Sequence, residues 1–449
     1  MSDWASRRLH FIGIGGAGMS GLALVCAELG ASVTGSDRAA SSYMERLRAA
    51  GLDPSVGHDA ANLPEGVEVV VSTAIGDDNP ELALARERGI EPIHRGALLA
   101  ELCAEKRLIA VAGTHGKTTT TAMLVWALRA IGADPAFFVG GEVPGLGPEA
   151  VNAGWGGGEW VVAEADESDA SFLELNPEIA VVTNLEMDHH SRWGSVAELR
   201  RAFRDFVATA DGVAIPAGGG FAELGEGRRV IEFDEATPGP ADLRLAVPGR
   251  HNLRNARAAL AALELGPLTS HFVSDSETKH EVSEAVGALA EFPGVRRRLE
   301  LKGSRNGARV YDDYAHHPTE VRAALSALRE LAPERLIAAF QPHLYSRTKA
   351  FTEGFGAALS LADEVVVLDV YPAREQPVGE LAGVSGLQVA EATAERNGGQ
   401  RVWWLPTAAA AREALSPRLG AGDILVTIGA GDIFKLGEAL VEGDGKARR

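Results

Sequence analysis

The segment AVAGTHGKTTTTAML, residues 110–124, contains residue types that can bind a nucleotide phosphate. An apolar run precedes Gly113 and Gly116, and Lys117 and Thr118 follow where a helix-like pattern starts. The segment ends as a P-loop does, although a valine stands where the usual motif has its first glycine. Backbone N–H groups at a helix N-terminus attract phosphate, a lysine neutralises its charge, and a threonine hydroxyl can ligate Mg²⁺. We therefore predict a nucleotide-phosphate site rather than an ordinary glycine turn.

Acidic side chains follow the next predicted strand, in VVAEADESDASF. Glu164 alternates with the apolar residues of that strand, which places it at the rim, and Asp166, Glu167 and Asp169 come directly after it. Because ligands bind beyond the carboxyl ends of parallel strands, these carboxylates could hold a magnesium nucleotide. A solvated acidic loop is the alternative, and the position after a strand disfavours it.

Two further segments could contribute to the same site. His189, in VVTNLEMDHH, could bind a second metal ion or orient a phosphate, or it could be structural. Asn252 and Asn255 lie three residues apart on one face of a predicted helix and could contact an adenine edge. Asn252 could instead cap that helix.

The N-terminal segment GIGGAGMSG has glycines at positions 13, 15 and 18, in G-x-G-x-x-G spacing. Asp37 follows 19 residues after the last of them and could pair with a ribose hydroxyl. Taken alone, this fingerprint would favour an NAD-dependent oxidoreductase. Its physical content is that a phosphate-bearing ligand can approach the backbone closely.

Polar groups also follow two strands predicted in the last third of the chain, in VYDDYAHHPTEV and FQPHLYSRTKAF. The candidates are Asp313, Tyr314, His316, His317, His343, Ser346 and Arg347. The chain therefore offers two phosphate sites and a third polar sheet edge. A dehydrogenase needs one phosphate site and no P-loop, whereas a ligase that activates one substrate with ATP and joins it to another needs all three.

Alternating strand and helix patterns along the 449 residues predict three α/β domains with parallel sheets. We expect a Rossmann-like domain at 1–104, a central P-loop ATPase-like α/β domain at 105–293 and a C-terminal Rossmann-like domain at 294–449. Pro293 and Gly294 mark the second boundary. The polar segment at residues 270–282 is expected to be an exposed loop or insertion.

The composition narrows the class of protein. The chain carries 62 acidic and 43 basic residues, a formal net charge of −19, which disfavours a nucleic-acid partner. Its two cysteines, Cys26 and Cys103, lie in apolar contexts and do not indicate a disulfide framework. Since no signal peptide and no apolar run of membrane length is evident, we expect a cytoplasmic protein without a membrane partner, monomeric or weakly homodimeric.

Motifs in chain order resemble those of the Mur ligases, the ATP-dependent amide-forming enzymes of peptidoglycan synthesis. They are HFIGIGGAGMSGLA, GTHGKTTTTAML, EADESDASF, TNLEMDHH, HNLRNARAA, GVRRRLE, DDYAHHPTEV, FQPHLYSRT, VYPAREQP and TIGAGDI. The resemblance covers roughly residues 9 to 435. It departs from the family at Leu344, where some members carry an arginine, and this leaves Arg347 as the main guanidinium of that motif.

The resemblance implies a role for each matched residue. A UDP-sugar, rather than NAD, would be bound by Gly13, Gly15, Gly16, Ala17, Gly18, Asp37 and Ser72. ATP would be bound by Gly113, Thr114, His115, Gly116, Lys117, Thr118, Thr119, Asn252, Asn255, Arg298 and Asp313. One or two Mg²⁺ ions would lie at Thr118, Glu164 and His189, and an amino acid at Tyr314, His316 and Arg347. The catalytic residues would be Lys117, Glu164, His189, Arg298, Asp313 and His316.

The implied reaction joins L-alanine to the lactyl carboxylate of UDP-N-acetylmuramate through an acyl phosphate, in cytoplasmic peptidoglycan precursor synthesis. A ligase that adds a preformed peptide to UDP-N-acetylmuramate during peptidoglycan recycling is the nearest alternative. The alternatives from other classes are an NAD-dependent oxidoreductase and a non-catalytic UDP-sugar-binding regulator.

Overall fold

The computed structural model describes residues 3–147, 151–187, 193–218, 220–235, 243–267, 276–398 and 401–445. The chain forms two compact units, Met1–Leu245 with Leu253–Pro293, and Ala246–Asn252 with Gly294–Arg449. The first unit contains two sheets and the second contains one, each with helices of its own. Within the described ranges, no helix combines the length and the apolar character needed to cross a bilayer. The exact limits of the three predicted domains stay a prediction.

The first sheet has the strand order β3-β2-β1-β4-β5, with every pairing parallel. Its strands are β1 (Arg8–Ile12), β2 (Ser32–Asp37), β3 (Ser55–Val56), β4 (Glu68–Val71) and β5 (Ile93–His94), and its helices are α1 (Ala17–Glu28), α2 (Ser42–Ala49), α3 (Pro80–Glu87) and α4 (Arg95–Cys103). The chain moves outward from β1 to β2 on one side and later to β4 on the other. The loop after β1 therefore opens at the topological switch point, where α/β sheets bind ligands.

The second sheet has the order β12-β11-β10-β6-β9-β7-β8. Its strands are β6 (Arg107–Ala112), β7 (Ala136–Val143), β8 (Val151–Gly154), β9 (Trp160–Glu164), β10 (Ile179–Val182), β11 (Gly212–Pro216) and β12 (Arg229–Phe233), and its helices are α5 (Lys117–Ala130), α6 (Val196–Val207), α7 (Arg250–Leu265) and α8 (Ser276–Ala290). The central strand β6 lies between β9 and β10, with Val111 opposite Glu164 and Ala112 opposite Val182. Their carboxyl ends stand side by side because the three strands pair parallel and in register. The apolar runs of β6 and β10 are buried on both faces of the sheet.

Strands β7 and β8 form an antiparallel hairpin that the sequence analysis did not predict. The hairpin packs on α1 of the first sheet, where Asn152 Nδ2 donates a hydrogen bond to the Ala17 carbonyl at 2.7 Å. Arg46 of α2 donates to Asn152 Oδ1 at 3.0 Å and forms an ion pair with Glu142. Within the first unit, the central sheet is therefore tied directly to the helix that follows the glycine loop.

The second unit is built on a sheet of order β13-β14-β18-β15-β16-β17, in which β13 pairs antiparallel with β14. Its strands are β13 (Glu300–Arg305), β14 (Ala308–Asp313), β15 (Leu336–Phe340), β16 (Glu364–Val367), β17 (Val402–Trp404) and β18 (Ile424–Ile428), and its helices are α9 (Pro318–Glu330), α10 (Tyr345–Leu359), α11 (Gly386–Arg396), α12 (Ala408–Leu415) and α13 (Phe434–Gly445). The motifs after β14 and β15 begin α9 and α10 at one edge of this sheet.

The expectation of an exposed loop over residues 270–282 is wrong from residue 276 onward, where α8 begins, and residues 268–275 lie outside the described ranges. The helix packs on α5. Trp126 Nε1 donates to the Ala288 carbonyl at 2.9 Å, and Ala285 and Leu289, four residues apart, are fully buried. Because the first half of the helix is polar, the sequence shows little helical periodicity there, and this short apolar face was not recognised.

Candidate active site

The predicted phosphate loop lies between the end of β6 and the first residue of α5, Lys117. Gly113 and Gly116 have φ angles of +131° and +82°, which disfavour residues with a side chain. A Cβ on Gly113 would overlap Thr183 Oγ1, and one on Gly116 would lie 2.6 Å from Asn255 Oδ1. Glycine is therefore required at both positions, and the predicted residue Asn255 does lie beside the loop.

Two residues at the end of β10 fix this loop, and neither was among the predicted site residues. Thr183 Oγ1 and Asn184 Nδ2 donate to the His115 carbonyl at 2.6 and 2.7 Å. Asn184 Oδ1 accepts a hydrogen bond from the His115 N–H at 2.9 Å. Thr114 Oγ1 donates to the Glu186 carbonyl at 3.0 Å. Position after a buried strand next to β6 was the signal that could have identified them.

Lys117 is held inside the loop by an acidic partner. Its Nζ donates to the Gly113 carbonyl at 2.6 Å and to Glu167 Oε2 at 2.9 Å, and Glu167 is almost fully buried. Burial opposes the charge of Lys117, but Glu167, Asp166 and Glu164 outweigh it and raise the pKa of the amine above its ordinary value. The lysine is therefore a fixed positive charge at the phosphate site.

Glu164 and Thr118 come together at the adjoining ends of β9 and α5. Thr118 Oγ1 donates to Glu164 Oε1 at 3.0 Å, and the Gly140 N–H donates to Glu164 Oε2 at 2.7 Å. Two neighbouring ligands of an octahedral Mg²⁺, with bonds of about 2.0–2.1 Å, lie about 3 Å apart. The two oxygens therefore fit adjacent positions around one magnesium ion. His189, the third predicted ligand, lies outside the described residues.

The helix that carries the two asparagines, α7, begins at Arg250. Asn252 thus lies in its first turn and not at its N-cap, and its Nδ2 donates to the Pro248 carbonyl at 2.7 Å. Thr119, another predicted ATP ligand, is buried in the first turn of α5. The contacts of Asn252 and Thr119 with ATP stay predictions.

The N-terminal glycine loop is shaped by Asp37. Gly13 has a φ of +84°, and Asp37 Oδ2 accepts a hydrogen bond from the Gly15 N–H at 2.9 Å. Helix α1 begins at Ala17 after Gly16 as N-cap, so Gly18 lies in its first turn. Ser72 follows the neighbouring strand β4 at the same sheet edge. Asp37 therefore positions the loop, and its predicted contact with a ribose is untested.

In the second unit, two consecutive arginines stack on Tyr314. The guanidinium carbons of Arg297 and Arg298 lie 4.8 and 5.3 Å from the centre of its ring. Arg297, which was not among the predicted site residues, donates to Asp312 Oδ2 at 3.1 Å and to the Gly429 carbonyl at 2.8 Å. Arg297 thus joins the ends of β14 and β18, and the predicted residue Arg298 shares the contact with Tyr314.

Asp313 is buried and accepts hydrogen bonds from the N–H groups of Leu299 and Ala315, both at 2.8 Å. Burial raises the pKa of its carboxyl to about 6, although Arg298 acts in the opposite direction. Asp313 therefore fixes the two loops that flank it. Its predicted contact with ATP stays a prediction.

This raised pKa predicts a pH-dependent stability. Because the folded state holds the Asp313 proton more tightly than the unfolded state, the stabilisation is complete below the unfolded pKa, near 3.8, and is lost as the pH rises through about 6. The contribution should fall by about 1.4 kcal/mol between about pH 5 and pH 7.5. Urea unfolding of the wild type and Asp313→Asn at both pH values measures it. Equal pH dependence in the two proteins would contradict the assignment.

The predicted amino-acid residues border one cluster of rings. His316 Nδ1 lies 3.0 Å from the Tyr314 carbonyl, and its backbone N–H donates to Glu320 Oε2 at 2.9 Å. His343 stacks on Tyr371 with ring centres 5.7 Å apart and lies 6.3 Å from the His316 ring. Burial, together with the charges of His316 and Arg347, lowers the pKa of His343 to about 3. The structure thus brings Tyr314, His316 and Arg347 to one edge of the third sheet.

Family models match the chain in three successive segments. Residues 8–107 match the Mur ligase family catalytic domain, 111–216 the Mur ligase middle domain, and 297–431 the Mur ligase glutamate ligase domain. The chain belongs to the Mur ligase family. This membership confirms the resemblance and the α/β class with three Mur ligase domains, and it favours a ligase over an NAD-dependent oxidoreductase.

Several relatives match over nearly their whole length. The chain is 46% identical to the UDP-N-acetylmuramate–L-alanine ligase of Renibacterium salmoninarum, over 97% of this chain and 95% of that protein. It is 44% identical to the enzyme of the same name from Mycolicibacterium vanbaalenii, over 98% and 97%. The crystal structure of UDP-N-acetylmuramate–alanine ligase MurC from Thermotoga maritima is similar with a TM-score of 0.82 at 29% identity, over 98% of this chain and 100% of that one.

Proposed function

We propose that the protein is an ATP-dependent ligase that joins L-alanine to the lactyl carboxylate of UDP-N-acetylmuramate. The observation that carries this proposal is the meeting of Lys117 and Thr118, which begin α5, with Glu164 at the end of β9 and Glu167 just after it, in the unit that also holds the glycine loop. The relatives at 44–46% identity carry the name of this activity, which supports the choice of substrates.

The chemistry requires activation of a carboxylate, because its oxygen is a poor leaving group. A lactyl carboxylate oxygen attacks the γ-phosphorus of ATP in line, the bond to the β,γ-bridging oxygen breaks, and ADP leaves. Lys117, charged and fixed beside Gly113, stabilises the negative charge that spreads over the transferred phosphoryl group. Mg²⁺ bound by Thr118 and Glu164 would supply further positive charge to the phosphates.

The amine of L-alanine then attacks the carbonyl carbon of the acyl phosphate, and inorganic phosphate leaves as the amide forms. The amine must lose a proton to attack, and we propose His316 as the base because it lies beside Tyr314 at the edge that also carries Arg347. Arg347 would pair with the carboxylate of L-alanine.

Release of ADP and phosphate, measured with ATP, Mg²⁺, UDP-N-acetylmuramate and one amine at a time, tests the proposal. The amines are L-alanine, glycine, L-serine and the stem tripeptide. We expect release that requires both the UDP-sugar and L-alanine. Release with the tripeptide alone would assign the protein to peptide-adding ligases, and no release with any amine would overturn the ligase function.

Glu164→Gln tests the magnesium site. The amide keeps the size of the side chain but loses the negative charge that faces Thr118 Oγ1, so the Mg²⁺ concentration for half-maximal activity should rise about 10- to 100-fold. A magnesium titration of ADP release measures this. Glu198→Gln, at an exposed helix start in the same unit, is the control and should behave as the wild type. An unchanged titration in Glu164→Gln would remove Glu164 from the metal site.

A further inference from the structure

A cavity of about 250 Å³ lies within the first unit, between the glycine-loop helix α1 and the end of β9. Its lining includes Ala17 and Gly18 of α1 and Glu164 at the end of β9. Phe138 and Phe172 contribute apolar surface to its wall. The cavity therefore connects the start of α1 to the candidate magnesium ligand through a partly apolar space.

Arg95, the first residue of α4, carries the only guanidinium among the described residues that line this cavity. Its Nη2 donates to Asp166 Oδ2 and to Asp169 Oδ2, both at 2.8 Å. These bonds anchor one corner of the guanidinium to the loop that follows β9.

The rest of the guanidinium is available to a ligand. Within the described ranges, neither Nε nor Nη1 of Arg95 donates a hydrogen bond, and the side chain is 24% exposed. Nη1 lies 3.4 Å from the place that a Cβ on Gly18 would occupy. The unused N–H groups therefore lie beside the first turn of α1, whose own N–H groups attract phosphate.

We propose, on the basis of the proposed function, that Arg95 binds the diphosphate of the UDP-sugar. With Nη2 held by the two aspartates, the N–H groups of Nη1 donate charge-assisted hydrogen bonds to the phosphate oxygens, and the α1 N-terminus holds the same diphosphate from the other side. The hexose then occupies the cavity against Phe138 and Phe172, and its lactyl group points toward Glu164. Arg95 thus sets the orientation of the bound UDP-sugar, with the diphosphate at α1 and the lactyl group toward β9.

Isothermal titration with UDP, UDP-N-acetylglucosamine, UDP-N-acetylmuramate and ATP tests this assignment. Arg95→Lys keeps the charge, but it has one nitrogen where the guanidinium has one that is anchored by the aspartates and another that faces the first turn of α1. It should weaken the binding of all three uridine nucleotides by a similar factor, on the order of 10-fold or more, and leave ATP binding unchanged. Arg86→Lys, an exposed arginine paired with Asp77, is the control and should bind as the wild type.

Asp169→Asn separates binding from a structural role, because it weakens the same ion pair and leaves the guanidinium in place. We expect it to bind the uridine nucleotides at least as tightly as the wild type does. Equal losses in Asp169→Asn and Arg95→Lys would show that Arg95 only ties α4 to the loop, and would overturn the proposal.

Two other results would also overturn it. A loss confined to UDP-N-acetylmuramate would assign Arg95 to the lactyl carboxylate, and unchanged binding by Arg95→Lys would remove it from the site. If the wild type bound none of the uridine nucleotides, the proposed function itself would fail. The wild-type titration therefore distinguishes the two failures.

Discussion

Replacing Lys117 with methionine is expected to slow ADP release in the presence of UDP-N-acetylmuramate and L-alanine by about 10³-fold. The reason is that the lysine is a fixed positive charge at the phosphate loop, and the charge on the transferred phosphoryl group spreads most in the transition state. Binding of UDP-N-acetylmuramate should change little, since the glycine loop belongs to the other sheet of the unit. Steady-state rates and titration of the UDP-sugar measure both quantities.

Removal of Lys117 also leaves the buried Glu167 carboxylate without its partner, which would destabilise the protein whatever the role of the lysine. The double variant Lys117→Met with Glu167→Gln removes that unpaired charge. We expect it to regain thermal stability while remaining inactive. Lys349→Met, at an exposed ion pair with Glu380, is the control. Recovery of turnover in the double variant would show that Lys117 acts through stability alone.

The second large effect is expected from Arg297→Met, which should lower the free energy of unfolding of the second unit by about 3–5 kcal/mol. Asp312 is fully buried, and Arg297 is its cationic partner at 3.1 Å. After the substitution, Thr427 Oγ1, at 2.6 Å, remains as a donor, but the carboxylate keeps an uncompensated charge. Urea unfolding followed by hydrogen exchange of the β14 and β18 amides localises the change to this unit.

Two companion variants make the Arg297 result specific. Arg297→Met with Asp312→Asn removes both charges and should recover a large part of the lost stability. Arg322→Met, at an exposed position of α9, should stay within about 0.5 kcal/mol of the wild type. A single variant within 1 kcal/mol of the wild type would contradict the role of the pair.

The sequence predicted the elements whose apolar runs are buried on both faces, because such runs leave little choice of structure. Strands β1, β6, β9 and β10 and the loops after them were identified in this way. The spacing of Gly113, Gly116 and Lys117 was equally informative, since a tight loop before a helix admits few residue types.

Contacts between distant segments could not be predicted in the same way. The position of Thr183 and Asn184 after a buried strand marks them as candidates, but their bonds to His115 depend on β10 pairing with β6, which the sequence does not show. Arg297 and Arg298 are adjacent in the chain, and the sequence does not show which of them pairs with Asp312. That pairing depends on the backbone conformation at Arg297, where φ is +61°. In the sequence, Glu167 cannot be distinguished from the three other acids that end or follow β9. Only its burial beside Lys117 in the structure distinguishes it.

The β7–β8 hairpin has a consequence for the synthesis of the chain on the ribosome. The bond between Asn152 and the Ala17 carbonyl joins residues 135 positions apart, so the glycine loop gains this support only after the β7–β8 hairpin has been translated. Until then, Gly21 of α1 lacks the surface formed by Asn152 and Ala153. A nascent N-terminal segment should therefore expose that face of α1, and the first and second sheets should mature as one cotranslational folding unit.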